Sequence, residues 1–301
     1  MLRFFRSGFI LLRGKVGFTL ETREKKRGDR FDGYWLRDEV PAMNSFMAYL
    51  FPNRADNEAF IEQSIDLRPM DAFLAKKNAG LEKDKYSYFH VILAACVKCF
   101  VLRPRMNRFI SGNRIYQRDH ISVAFVVKKR FEDSSSEGLA YKRYTGDDTI
   151  DTLHASILEE IYQCRRTDVE DNSNAFMQKL MRLPSWLLRL VVKILFKLDR
   201  KGKVPYDLIR TDPNYASIFL TNLGSIGLDA GYHHLNNWGT NSFFGVIGKK
   251  HLAPEWHEDG SCTVHPVLDL GLTLDERIGD GFYYSGTVRL LRKLLENPEL
   301  L

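Results

Sequence analysis

The last forty residues constrain the fold more than any other part of the chain. From Val264 to Leu274, apolar and other side chains alternate, which is the pattern of a strand with one buried face. One face carries Leu268, Leu270, Leu272 and Leu274, and the other carries Val267, Asp269, Gly271 and Thr273. The run DERIGDG follows, and Phe282 to Glu296 is an amphipathic helix that ends before Pro298. The sequence therefore predicts a strand, a tight acidic turn and a helix.

Length and charge predict one globular domain behind a basic segment. The chain has 301 residues, of which 44% are hydrophobic, enough for a full core. The net charge of +6 comes from residues 1 to 37, where ten Lys and Arg face four Asp and Glu. We predict a partly flexible basic leader over 1–38 and a domain over 39–301. Nucleic-acid binding is not predicted, because the folded part is nearly neutral.

The leader and the cysteines indicate a soluble protein of a reducing compartment. Arg6 and Arg13 confine the first apolar stretch to Ser7–Leu12, which is too short for a signal peptide. The four cysteines lack metal-ligand spacing and are predicted to be buried free thiols. The expected location is the cytoplasm.

Further elements follow from local patterns. Tyr86–Leu102 is apolar on nearly every side and is predicted to be a buried helix, and an amphipathic helix is predicted from Ile150. Strands are predicted at Ala59–Leu67, Arg114–Gln117, His120–Lys128, Tyr215–Thr221 and Ser242–Gly248.

The segment Pro184–Leu198 is predicted to form a helix with a narrow basic stripe of Arg189, Lys193 and Lys197. It is too short and too charged to span a bilayer. Three interpretations stay open: a helix buried against its own domain or a neighbouring subunit, a helix at a membrane interface, or a lid over an acyl pocket. Peripheral membrane contact through 184–198 or through 1–37 stays an open alternative.

Three motifs together resemble a known family. Leu220–Gly224 (LTNLG), Phe244–Gly248 (FGVIG) and Asp275–Gly281 (DERIGDG) are similar to ISNLG, ILGVG and DHRVVDG in the catalytic domain of 2-oxoacid dehydrogenase acyltransferases. Chloramphenicol acetyltransferase has HHxxxDG at the last position. The resemblance is good over residues 205–301 and weaker over 59–128. A helical insertion at about 175–204 departs from those enzymes and is more similar to standalone bacterial members of the superfamily.

The resemblance implies a chloramphenicol acetyltransferase-like fold, which is an α/β (α+β) two-layer sandwich with a mixed sheet covered by helices. It also implies a homotrimer with sites at subunit interfaces, an acyl thioester partner, and coenzyme A or acyl-CoA as cosubstrate. By the same resemblance, Thr221 holds the oxyanion, and Asp280 makes a structural ion pair with Arg54 or Arg37. No lipoyl domain precedes this region, so no covalently bound lipoyl group is expected.

The resemblance breaks at Glu276, which stands where the family has its catalytic histidine. An ordinary glutamate has a pKa of about 4.3, against about 8.5 for a thiol, and is a poor base for a thiol nucleophile. Burial could make the carboxylate basic enough to act. Alternatively, Glu276 pairs with Arg277 or with a lysine of a neighbouring subunit and is only structural. The sequence predicts either an acyltransferase of reduced activity or an inactive homologue that serves as a binding or scaffold module.

His233 and His234 follow the Thr221 strand closely, and one of them could replace the missing base. Adjacent side chains point in different directions, so at most one would face the site. The alternative is that both are structural. No histidine has the spacing of a known zinc site, and no metal is predicted.

Overall fold

The computed structural model describes residues 23–128, 137–166 and 180–301, which form two sheets and a layer of helices. The strands are β1 (Gly33–Trp35), β2 (Glu58–Asp66), β3 (Arg108–Ser111), β4 (Arg114–Arg118), β5 (Ile121–Lys128), β6 (Glu137–Tyr144), β7 (Ile218–Asn222), β8 (Phe243–Trp256) and β9 (Cys262–Asp275). The α-helices are α1 (Ala42–Leu50), α2 (Arg68–Lys77), α3 (Tyr88–Leu102), α4 (Ile150–Arg166), α5 (Ser185–Arg200), α6 (Tyr206–Ile209) and α7 (Gly281–Glu296).

The main sheet has six strands in the order β2-β9-β8-β7-β5-β6. Strand β7 is parallel to both of its neighbours, and the other pairs are antiparallel. A mixed sheet results, as predicted. The smaller sheet has the order β1-β4-β3.

One face of the main sheet packs against helices. Helix α3 is the centre of this layer, because eleven of its fifteen residues are buried, and it packs against α4 and α7. The alternating leucines of β9 face this helix layer, and all four are buried. The predicted buried helix and the predicted strand are confirmed, and so is the fold class of a mixed sheet covered by helices. The opposite, open face carries Phe219, Phe244 and Val246, which form a separate small cluster with Leu235.

The structure includes the end of the predicted basic leader. Residues 1–22 lie outside the described residues, but Gly33–Trp35 pair with β4. Arg30 and Asp32 are buried and form an ion pair of 2.9 Å. Arg30 and Asp32 lie in a segment that the sequence predicts to be a flexible leader. They are buried because each has a partner of opposite charge.

Helix α5 confirms the predicted helix at 184–198. Asp199 is its one buried residue, and several of its apolar side chains are exposed. Residues 167–179, and with them the start of the predicted insertion, lie outside the described residues.

The four cysteines differ in burial, and Cys164, in α4, is half-buried. Cys96 and Cys99 are buried in α3, as predicted, and burial raises the pKa of the Cys96 thiol to about 12. The prediction of burial is wrong for Cys262, which is exposed at the start of β9. That strand and β8 extend beyond the core as a long hairpin, so its tip is surrounded by solvent.

Candidate functional site

The buried carboxylate of Asp275 stabilises the turn that follows β9. Asp275 ends β9 with no exposed surface, and the Arg277 guanidinium donates to both of its carboxylate oxygens at 2.8 and 2.7 Å. The Tyr284 hydroxyl donates to the Asp275 carbonyl at 2.6 Å. The spacing of two residues in Asp275 and Arg277 therefore produces a closed loop of charge-assisted hydrogen bonds.

Arg54 is a second cation on the same carboxylate. Its Nε lies 3.5 Å from Asp275 Oδ2, and its Nη2 donates to the carbonyls of Ile110 and Gly239 at 3.1 and 3.0 Å. Burial lowers the pKa of Arg54 to about 10, although Asp275 acts in the opposite direction. Arg54, Asp275 and Arg277 form a unit that we call the buried charge cluster. It joins the turn to β3 and to the segment before β8.

Glu276 projects from this cluster toward solvent. It begins a short 3₁₀ turn, and its backbone N–H donates to the carbonyl of Asn57 at 2.8 Å. Its side chain is exposed and has no hydrogen bond or ion pair to any other described residue. Because Arg277 is engaged by Asp275, the intrachain pair of Glu276 with Arg277 does not form.

Within the described chain, Asp280 does not form the expected ion pair with Arg37 or Arg54. Asp280 is the N-cap of α7, and its Oδ1 accepts a hydrogen bond of 2.8 Å from the Tyr283 N–H. Arg37 stacks over Trp35 at 4.6 Å. Arg54 contacts Asp275, five residues before Asp280. Within the described chain the motif's aspartates are thus divided, with Asp275 in the ion pair and Asp280 at the helix cap.

Thr221 lies near the end of β7 on the open face. It is opposite Val246 of β8, and Val246 is in turn opposite Gly271 of β9. Its side chain is partly exposed. Since side chains alternate along a strand, Thr221 shares this face with Phe219.

The glycine-rich segment after β7 crosses this open face. A Cβ at Gly271 would lie 1.9 Å from the Gly231 carbonyl oxygen, and one at Gly248 would lie 2.4 Å from the Ala230 nitrogen. Only glycine lets the backbone of 230–231 rest directly on β8 and β9. This segment is therefore a strap that presents the next residues on the open face.

His233 and His234 follow this strap and point in different directions, as expected. The His233 ring stacks on Phe244 with centroids 4.3 Å apart and planes at 7°. The His234 Nδ1 lies 2.9 Å from a carboxylate oxygen of Glu58, and its side chain is 84% exposed. His233 is thus the histidine nearer to Thr221, because Phe244 is opposite Phe219, two residues before Thr221.

Thr221 and Glu276 are separated within one chain. Thr221 is level with Gly271 in the second half of β9, whereas Glu276 follows Asp275, the last residue of that strand. Five residues along a strand and two strands across correspond to roughly 20 Å. The Phe244 ring on which His233 stacks is opposite Thr273 of β9, so His233 lies between the levels of Thr221 and Glu276.

Sequence reasoning missed the buried charge cluster. From the sequence, Arg54 is a candidate partner of Asp280, and Arg277 is a candidate partner of Glu276. Neither is assigned to Asp275. The available signal was the pair Asp275 and Arg277 at a spacing of two, before the turn that carries Glu276.

Residues 23–128, 137–166 and 180–301 contain neither a metal-ligand cluster nor a membrane-spanning helix. No group of three or more His, Cys, Asp or Glu could hold a metal ion there. Within the same ranges, no helix has the length and apolar character needed to cross a membrane.

Comparison with known proteins identifies the fold. No family model matches the chain, and no curated protein sequence matches it. A solved dihydrolipoamide acetyltransferase of Azotobacter vinelandii is similar at a TM-score of 0.56 and 16% identity, covering 95% of this chain and 97% of that one. A probable dihydrolipoamide acetyltransferase of Listeria monocytogenes gives 0.55 and 13%, covering 86% and 93%. A chloramphenicol acetyltransferase gives 0.50 and 15%, covering 88% and 98%. The chain has the fold of these acyltransferases.

Proposed function

We propose that this protein is a CoA-dependent acyltransferase that moves an acyl group from a thioester to an acceptor. Three features support this proposal: the fold, the position of the DERIGDG turn between β9 and α7, and Thr221 at the end of β7. The cosubstrate would be coenzyme A or acyl-CoA. The proposal involves no metal, no covalently bound lipoyl group and no nucleic acid, and it places the protein in the cytoplasm.

The observation that carries the proposal is the separation of Thr221 from Glu276. Both side chains are at least partly exposed, and they lie roughly 20 Å apart in one chain by the spacing of strands and residues. One reacting carbonyl cannot touch both. If both act on one carbonyl, a second copy supplies one of them, and a homotrimer would give such a composite site at each interface.

At that interface the two residues would have distinct roles. The acceptor attacks the thioester carbonyl, the Thr221 hydroxyl donates a hydrogen bond to the oxyanion, and the carbon–sulfur bond breaks as CoA leaves. The Glu276 carboxylate would take the acceptor's proton. A neighbouring subunit would exclude water from the channel, and desolvation makes a carboxylate a stronger base. His233 lies on the same face as Thr221 and is the alternative base.

A second candidate function is that of an inactive homologue acting as a binding or scaffold module. It is favoured by the isolation of Glu276, since a general base is normally oriented by another group and Glu276 has none within the described chain. Peripheral membrane contact, through 1–37 or 184–198, is compatible with either function.

Thermal stabilisation by CoA and by acyl-CoAs of increasing chain length tests the donor site. A ligand that binds only the folded state raises the melting temperature by mass action. We expect a shift that depends on acyl length, and a smaller one for Thr221→Ala if the hydroxyl contacts the thioester. No shift with any thioester would favour the scaffold.

Glu276→Gln then tests the base. It keeps the size of the side chain and should lower turnover by about 100- to 10,000-fold while leaving the thermal shift intact. The matched control is Glu258→Gln, an exposed glutamate in the β8–β9 hairpin. If Glu276→Gln turns over as fast as the parent, the carboxylate is not the base, and His233→Ala becomes the decisive variant.

A further inference from the structure

A basic cavity lies beside α5, away from both parts of the candidate site. It is open to solvent on one side, has a volume of about 790 Å³ and is lined by α5, the β3–β4 turn and residues 28–30. Besides Arg30, which pairs with Asp32, its lining includes six cations that extend from the turn to the residues after α5: Arg114, Lys193, Lys197, Arg200, Lys201 and Lys203.

None of these six cations forms an ion pair with a carboxylate of the residues that the structure describes. Asp29 is the acidic residue of the lining, and its carboxylate accepts hydrogen bonds from the N–H groups of Lys26 and Trp35. Unpaired cations that converge on one cavity attract anions.

The exposed surface of α5 next to the cavity is apolar. Trp186, Leu190 and Ile194 recur every four residues and therefore share one face of the helix. Their exposed fractions are 69%, 49% and 49%. This face adjoins the stripe of Lys193 and Lys197, so apolar and cationic side chains point outward together.

The cavity end of α5 is fixed to the body of the protein. The Asp199 carboxylate accepts hydrogen bonds from the Tyr215 hydroxyl at 2.5 Å and from the Gly239 N–H at 3.1 Å. A Cβ at Gly112 would lie 2.5 Å from the Arg200 carbonyl oxygen, so the helix end rests against the β3–β4 turn. The apolar face therefore has a defined orientation relative to the cations.

We propose that this side of the molecule docks on an anionic phospholipid bilayer. Trp186, Leu190 and Ile194 enter the interfacial layer, and the cavity cations bind phosphate headgroups. A surface helix with cations beside a tryptophan and aliphatic residues is suited to the boundary between headgroups and acyl chains. This inference does not depend on acyl transfer.

Charge argues against two other occupants. A second copy meeting this face with the same face, as in a two-fold dimer, would bring like cations together. Residues 1–22 carry cations at Arg3, Arg6, Arg13 and Lys15, so they would repel the cavity and would add to attraction by an anionic surface. An acidic protein would satisfy the cations but would not require the exposed aliphatic ridge.

Vesicle cosedimentation of the full chain tests the proposal. Phosphatidylcholine vesicles with and without phosphatidylserine distinguish a lipid surface from free phosphate, which is added as a soluble competitor. We expect binding to phosphatidylserine vesicles that weakens with salt. Lys193→Gln with Lys197→Gln should weaken it about 30-fold, from about 1 kcal/mol for each cation. Lys83→Gln with Lys85→Gln removes the same charge from the exposed loop before α3 and should have little effect.

Leu190→Ser with Ile194→Ser tests the apolar ridge separately. Both side chains are half exposed, so the fold should persist, and circular dichroism checks this. We expect vesicle binding to fall while the net charge is unchanged. The proposal is overturned if no vesicle binds at low salt, if both double variants bind like the parent, or if neutral vesicles bind equally well. It is also overturned if the serine variant changes the oligomeric state, because the ridge would then be an interface between copies.

Discussion

The turn after β9 buries its charges in ion pairs, whereas helix α5 exposes cations that have no carboxylate partner in the described chain. In the turn, Asp275 is fully buried and is contacted by two guanidinium groups, so its charge serves the fold. In α5, one acid is buried as an anchor, while the cations face a cavity without carboxylate partners in the described chain. Paired buried charge fixes a backbone, whereas unpaired exposed charge is available to another molecule. The turn can therefore present Glu276 in a defined place, and α5 can present a surface.

The largest expected effect is that of Asp275→Ala on the turn. Removing the carboxylate leaves Arg54 and Arg277 buried without their counter-charge, and breaking a buried pair in this way costs about 3–5 kcal/mol. Denaturant unfolding measures the loss. Asp269→Ala, on the same strand but partly exposed beside His251, is the control and should cost less than about 1 kcal/mol. Equal losses would show that the buried charge cluster has no special part in stability.

Asp199→Ala removes the anchor of α5 and should have an intermediate effect. It leaves the Tyr215 hydroxyl and the Gly239 N–H without their acceptor, which we expect to cost about 2 kcal/mol. Limited proteolysis gives a second measurement, because a released α5 would be cut faster between residues 180 and 204. Asp207→Ala, at the exposed start of α6, is the control. Unchanged cleavage with unchanged stability would mean that α5 is held by other contacts.

The sequence predicted elements that have a local pattern, but it did not predict buried ion pairs such as that of Asp275. The leucines of β9 and the apolar run of α3 identified their elements, because burial on one face or on all faces leaves a local period. Arg30 and Asp32 were assigned to a polar leader, since their burial depends on partners far along the chain, such as Ser111 and the carbonyl of Asp199. The same limit applied to Arg54. Its role depends on which of two nearby aspartates it meets, and only the fold determines that.

The smallest expected effect, that of Asp280→Ala, separates two roles for the same residue. Asp280 caps α7 through the Tyr283 N–H, and loss of an N-cap costs about 1 kcal/mol. Asp280→Asn sharpens the test, because asparagine caps a helix nearly as well as aspartate but carries no charge. If Asp280 is only a cap, the asparagine variant should unfold at nearly the parent's denaturant concentration. If Asp280 makes an ion pair with a neighbouring subunit, both variants should lose stability, and the loss should grow as the protein is diluted. Asp280 would then bind another chain through its charge, just as the α5 cations bind lipid headgroups in our proposal.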